Sequence, residues 1–275
     1  MSQPTVLLIG STDRHELAEA GKVLQSLAKV IPAPDCDAAA SVLADEQLAV
    51  DLIVVAQAYP GQFSAEAMER LARLAPLARV VAMLGSWCEG ETRSGRPWPG
   101  AVRVCWHQWP PRCYQELSRF HQGLCSSWGL PPTAAEEERF LALADGPLPR
   151  CQGLIAIHSQ SFDAQDWLSK ACRRAGYSTL WLRPGEVPHI DGAQAAIFDA
   201  IDCRGEELDE LRRLIATLQP APTIVLMSFP RVEDRDRALA AGASALLSKP
   251  VLLEDLFWQL RQVTGCAAAD LPQRR

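Results

Sequence analysis

Short apolar runs of four to six residues alternate with stretches of helical periodicity. The pattern breaks once and then restarts. In the first part the runs fall at 5–9 (TVLLI), 51–55 (DLIVV), 79–84 (RVVAML) and 102–106 (VRVCW). Helical stretches lie between and after them, near 14–28, 38–47, 63–74 and 110–124. Apolar runs of this length that take turns with amphipathic helices predict parallel strands joined by helical crossovers. Such a sheet must be covered on both faces.

The break is residues 129–150, GLPPTAAEEERFLALADGPLPR, where prolines flank a short acidic segment. This predicts a linker carrying one brief helix. The pattern resumes with runs at 153–157, 179–182, 195–198, 223–227 and 244–247, and helices near 162–175, 206–218, 231–241 and 252–263. On the last helix Leu253, Leu256, Phe257, Leu260 and Val263 form one apolar stripe. The expected organisation is a domain over 1–128, the linker over 129–150, a second domain over 151–265 and a tail over 266–275. A chain of 275 residues, 48% hydrophobic, can bury two such cores.

Charge narrows the function classes. Residues 1–128 hold 11 basic and 13 acidic side chains, and residues 151–265 hold 12 and 15. With a net charge of -6 and no basic stripe, nucleic-acid binding is not expected. A polybasic membrane patch is absent, and no apolar run approaches the roughly 18–20 residues that span a bilayer. No cleavable leader is evident before TVLLIG, so the expectation is a soluble, cytoplasmic protein. Nine cysteines occur without a C-x-x-C pair or a zinc spacing, which reads as reduced thiols and no metal site.

Three stretches of the second half carry a resemblance. They are AGASALLSKP at 241–250, AAIFDAIDCRGEEL at 195–208 and TIVLMSFPRVEDRDRALAAGA at 223–243. Their order and spacing resemble the receiver domain of bacterial two-component response regulators, over roughly 152–265. The first half, over roughly 4–125, resembles the same family more faintly, through VDLIVVAQAYPGQFS and VRVCWHQWPPRCYQEL. The resemblance implies two flavodoxin-like, doubly wound α/β domains in tandem.

It also implies a chemistry to look for. A receiver needs a carboxylate pair that helps hold Mg²⁺, a nucleophilic aspartate, a lysine for the phosphoryl charge, a hydroxyl switch and an aromatic reporter. In the second half the resemblance maps these to His158 and Ser159, Asp199, Lys249, Met227 with Ser228 beside it, and Leu246. In the first half it maps the carboxylate pair to Gly10 and Ser11, the nucleophile to Ala56, and the lysine to the neighbourhood of Trp109-Pro110. Both halves then read as pseudo-receivers, with no cofactor implied.

Asp199 and Lys249 read as a vestigial phosphoacceptor pair held together as an ion pair; a working phosphorylation site is the competing reading. Asp202 is a candidate displaced metal ligand or a solvated loop carboxylate. His158 is a candidate transition-metal ligand with Cys203 or Asp199, or an ordinary strand-end histidine. The loop 86–100, SWCEGETRSGRPWPG, holds Trp87, Arg93, Arg96 and Trp98. Tryptophan and arginine are enriched where binding energy concentrates. The loop therefore reads either as a partner-binding surface or as a seal over a flank of the first domain. Trp258 is a candidate interface anchor on the last helix. The resulting expectation is a non-enzymatic regulatory or scaffolding protein whose partners are other proteins, a second copy of the chain among the candidates. An atypical phosphoaccepting regulator and a small-molecule binding module are the rivals.

Overall fold

The structure is a computed structural model, and it describes residues 3–45, 48–91, 95–124, 126–131, 133–135, 137–138, 151–185 and 190–265. The linker helix falls largely outside these residues, and so do Arg93 and the tail over 266–275. The chain divides into two compact units, residues 1–145 and 146–275.

The first unit runs β1 (Thr5–Ile9), α1 (His15–Leu27), β2 (Lys29–Ala33), α2 (Cys36–Leu43), β3 (Leu52–Gln57), α3 (Ala65–Leu74), β4 (Arg79–Leu84), β5 (Val102–Cys105) and α4 (Trp109–His121). The strands form one parallel sheet in the order β2-β1-β3-β4-β5. Central β3 is buried at all six positions, which is why it reads as an unbroken apolar run. Leu7, Ile9, Ile53 and Val55 face a core that takes in Ala39 and Ala40 of α2 and Met68 and Leu71 of α3. Ser64 caps α3 by accepting from the Ala67 N–H at 3.2 Å. Strand β2 was not expected from the sequence. It lies at the sheet edge, is only partly buried and contains Pro32, whose missing N–H an edge strand tolerates.

The second unit runs β6 (Leu154–His158), α5 (Phe162–Arg174), β7 (Ser178–Leu182), β8 (Ala193–Ala200), α6 (Gly205–Leu218), β9 (Thr223–Ser228), α7 (Val232–Ala240), β10 (Ala245–Lys249) and α8 (Leu253–Thr264). Its sheet is also all-parallel, in the order β7-β6-β8-β9-β10. Ile155, Ile157, Ala195 and Ile197 pack with α5 and α8 on one face. Ala156, Ala196, Phe198 and Ala200 pack with α6 and α7 on the other. This alternation along β8 carries Asp199 to the α5/α8 face. Both units are thus doubly wound, flavodoxin-like α/β folds, in which functional groups gather where the strands end.

Candidate functional site

In the second unit the strand ends bring Asp199 and Lys249 together. Lys249 Nζ lies 2.6 Å from Asp199 Oδ1 and also donates to the Ala200 carbonyl at 3.0 Å. The other carboxylate oxygen, Oδ2, accepts from the Ser159 hydroxyl at 2.6 Å. Ser159 Oγ in turn accepts from the Ser161 N–H at 3.1 Å, and Ser161 caps α5 by accepting from the Ala164 N–H at 3.3 Å. The carboxylate is therefore fixed through both oxygens, by a cation and by a hydroxyl tied to a helix start. Side-chain exposure is 10% for Asp199 and 30% for Lys249, so the pair is well shielded but open on the lysine side.

His158 does not join this group. It is the last residue of β6 and faces the α6 side, where its ring stacks on Phe198 at a centroid distance of 4.5 Å and an interplanar angle of 6°. Its Nε2 is 3.1 Å from Glu210 Oε1, and the same oxygen accepts from the Gly185 N–H at 2.6 Å. Cys203 belongs to the core on that side, and its thiol is pushed up to about 12, first by burial and then by Glu207. A protonated thiol is a poor metal ligand. Asp202 lies on an exposed loop, where its Oδ1 accepts from the Arg204 N–H at 3.1 Å. Met227 is buried and paired with Ala200, while Ser228 is exposed and paired with Lys249.

The Mg²⁺ implied by the receiver resemblance does not fit this set of donors. A hard cation wants several oxygen ligands, carboxylates first. The carboxylate that the strand ends bring together with Lys249 is Asp199, and its oxygens accept from Lys249 and Ser159. Among the described residues no group of three or more His, Cys, Asp or Glu side chains converges as a metal site would require.

The strand register of the first unit corrects two correspondences. Phe198, the partner of His158, precedes Asp199; Val55, the partner of Ile9, precedes Ala56. The residues in place of His158 and Ser159 are therefore Ile9 and Gly10, one earlier than Gly10 and Ser11. Likewise Met227 pairs with Ser248, just before Lys249, and Leu84 pairs with Cys105. The lysine position is thus Trp106, three residues before Trp109. Its ring is buried, and its Nε1–H donates to Glu89 Oε1 at 3.0 Å. Gly10 has φ +87°, and a Cβ there would sit 2.9 Å from the Ala56 carbonyl oxygen. That point has neither the backbone nor the space for a carboxylate side chain.

The tryptophan-rich loop splits into buried and exposed parts. Trp98 is 7% exposed, belongs to the first unit's core and donates from Nε1 to the Phe63 carbonyl at 3.1 Å. It seals the flank and is not available to a partner. Trp87, on a 3-10 turn at Ser86–Cys88, is 75% exposed, and Arg96 is exposed too. Behind them, Arg103 pairs with buried Glu91 at 2.8 Å, and Glu91 Oε1 accepts from Gln57 Nε2 at 3.3 Å. Trp258 is half-buried, so only part of its ring faces outward.

Two comparisons with known proteins are silent: no protein-family model matches the chain, and no curated protein does. Solved structures do match. A response regulator receiver protein from Pseudoalteromonas atlantica is 22% identical over 41% of this chain and 97% of its own, with a TM-score of 0.36. A response regulator from Thermotoga maritima is 18% identical over 42% of this chain and all of its own, with a TM-score of 0.35. A CheY-like receiver domain protein from Methanospirillum hungatei is 19% identical over 42% and 95%, with a TM-score of 0.37. Each match spans the length of one unit. The chain holds two receiver-like units in tandem, a description that rests on the strand order and winding of its own two sheets.

Proposed function

We propose that this chain is a non-catalytic regulatory or scaffolding protein of bacterial signal transduction, that both units are degenerate receivers, and that it works through protein–protein contacts in the cytoplasm. The observation that carries the reading is the state of Asp199. Phosphoryl transfer to a carboxylate needs a neighbouring metal to offset the incoming charge. Asp199 is bonded to Lys249 and Ser159, and among the described residues no cluster of three or more His, Cys, Asp or Glu side chains is there to hold a metal. The first unit has Gly10, Ala56 and Trp106 at the matching positions, and none of these side chains can accept a phosphoryl group. Free thiols at Cys88, Cys113, Cys172 and Cys203 suit a reducing compartment. Exposed Trp87 and Arg96 are the surface side chains best suited to anchor a partner. No helix among the described residues is long and apolar enough to cross a membrane.

A second reading, an atypical phosphoacceptor, is favoured by one observation: Lys249 sits 2.6 Å from Asp199, where a phosphoryl-stabilising lysine belongs. Incubation of the full chain with acetyl phosphate and Mg²⁺, followed by intact-mass analysis, separates the two. The expected result is no added phosphoryl group. A stoichiometric adduct that disappears in Asp199→Asn would overturn the non-catalytic reading.

A further inference from the structure

A cavity of about 370 Å³ opens beside the Asp199–Lys249 pair in the second unit. Its walls are Ala164, Trp167 and Leu168 of α5, Leu226 of β9, and Pro250 and Val251 beyond β10. Only the ion pair breaks this apolar lining. The volume lies in the range of small-molecule sites, about 300–1,000 Å³; at a close-packed density of about 0.74 it holds roughly 10–15 non-hydrogen atoms.

The polar end specifies what such a molecule must carry. Both Asp199 oxygens are in use, one on Lys249 and one on Ser159. The Lys249 ammonium has three N–H donors and spends two, on Asp199 Oδ1 and on the Ala200 carbonyl. One donor is left on a lysine that lines the cavity. Because Asp199 neutralises that lysine, the site as a whole carries no net charge. A negatively charged ligand would meet the carboxylate as well as the ammonium. A neutral molecule with a single acceptor meets only the spare N–H. We propose that this cavity is a binding site for a neutral, largely apolar small molecule bearing one carbonyl-type acceptor, its apolar body against Trp167 and Leu226 and its acceptor on Lys249. The site shares Asp199 and Lys249 with the ion pair and requires Asp199 to be unmodified.

Three probes of one shape test it on the full chain: 2-acetylnaphthalene with a neutral acceptor, 2-ethylnaphthalene with none, and 2-naphthoate with a charge. Amide and indole resonances followed by NMR titration report affinity and place. The expected result is saturable binding of 2-acetylnaphthalene, with shifts concentrated at Ala164, Trp167, Leu226 and Val251. The acceptor-free probe should bind about tenfold more weakly, as fits one hydrogen bond to a charged donor. The charged probe should also be weaker than 2-acetylnaphthalene. Ala164→Phe, which fills the cavity, should abolish the shifts; Val251→Trp serves the same purpose if the first variant does not fold. The proposal is overturned if no probe saturates, if the shifts survive in a folded cavity-filled variant, or if 2-naphthoate binds tightest.

Discussion

Replacement of Asp199 by alanine is expected to destabilise the second unit by about 2–3 kcal/mol. The figure is bracketed by two limits. Breaking a fully buried ion pair costs about 3–5 kcal/mol, because the surviving charge is left without compensation. A solvent-exposed pair contributes about 0–1 kcal/mol. Asp199 lies near the first limit at 10% side-chain exposure and Lys249 nearer the second at 30%. In Asp199→Ala the ammonium keeps the Ala200 carbonyl and can draw water, while Ser159 loses its acceptor. Unfolding entropy of about 2.1 cal/mol/K per residue, over a unit of roughly 120 residues, converts the loss to a fall in Tm of about 8–12 °C. The assay is differential scanning calorimetry of the full chain. The two units need not melt together, so the transition that moves in Asp199→Ala is assigned to the second unit. Lys249→Met and the double variant complete a cycle, with an expected coupling of about 1–2 kcal/mol. A coupling below about 0.5 kcal/mol, or a Tm drop under about 2 °C in Asp199→Ala, would refute the idea that the pair anchors the sheet edge.

Three further outcomes are expected. Buried Glu116 accepts from the Ser126 and Ser127 hydroxyls and from the Trp128 N–H, so Glu116→Ala should cost about 2–4 kcal/mol; hydrogen exchange should quicken at 126–128, and Glu116→Gln should do less harm. Gly10→Ala should destabilise the first unit by about 1–3 kcal/mol, because φ is +87° and the Ala56 oxygen lies 2.9 Å from the new Cβ; denaturant titration measures it. Burial pushes the thiols of Cys88 and Cys172 up to about 12 and that of Cys105 up to about 11. A folded pKa above the unfolded value near 9 means their stability contribution is whole below pH 9. It should fade as pH rises toward 11–12. Native labelling with a thiol reagent at pH 8 should accordingly be slow at these positions and fast once the chain unfolds.

The sequence made the inner strands legible because IVLM and LIVV are buried on both faces and carry no polar interruption. Edge strand β2 escaped notice because burial there is partial and Pro32 imitates a turn. The Asp199–Lys249 pair could be read from spacing, since one ends β10 and the other sits near the end of β8. Ser159 could not be foreseen as the second partner of Asp199. Its role depends on a rotamer and on the way Ser161 starts α5. The three-residue error at Trp106 has a plain cause: the proline pair after Trp109 imitates the lysine-proline step, yet β5 already ends at Cys105. The tryptophans look alike in sequence. Only tertiary contacts distinguish Trp98, bonded to a carbonyl 35 residues away, from exposed Trp87.

The buried Trp106 ring gives the two units different futures. To present a receiver-type site, the first unit would have to place a carboxylate at Gly10, a carboxylate at Ala56 and an ammonium where an indole now fills the interior. Each of these changes burdens the fold, since Gly10 has no room for a side chain and Ala56 and Trp106 are buried. In the second unit the cost falls on one position, since Ser159 is itself buried and its hydroxyl holds Asp199. Its aspartate and lysine already face each other, and a single change, Ser159→Asp, would set two carboxylates side by side. Their mutual repulsion is the kind that a divalent cation relieves. Counted by the buried positions that would have to change, the second unit lies closer to a paired-carboxylate site than the first.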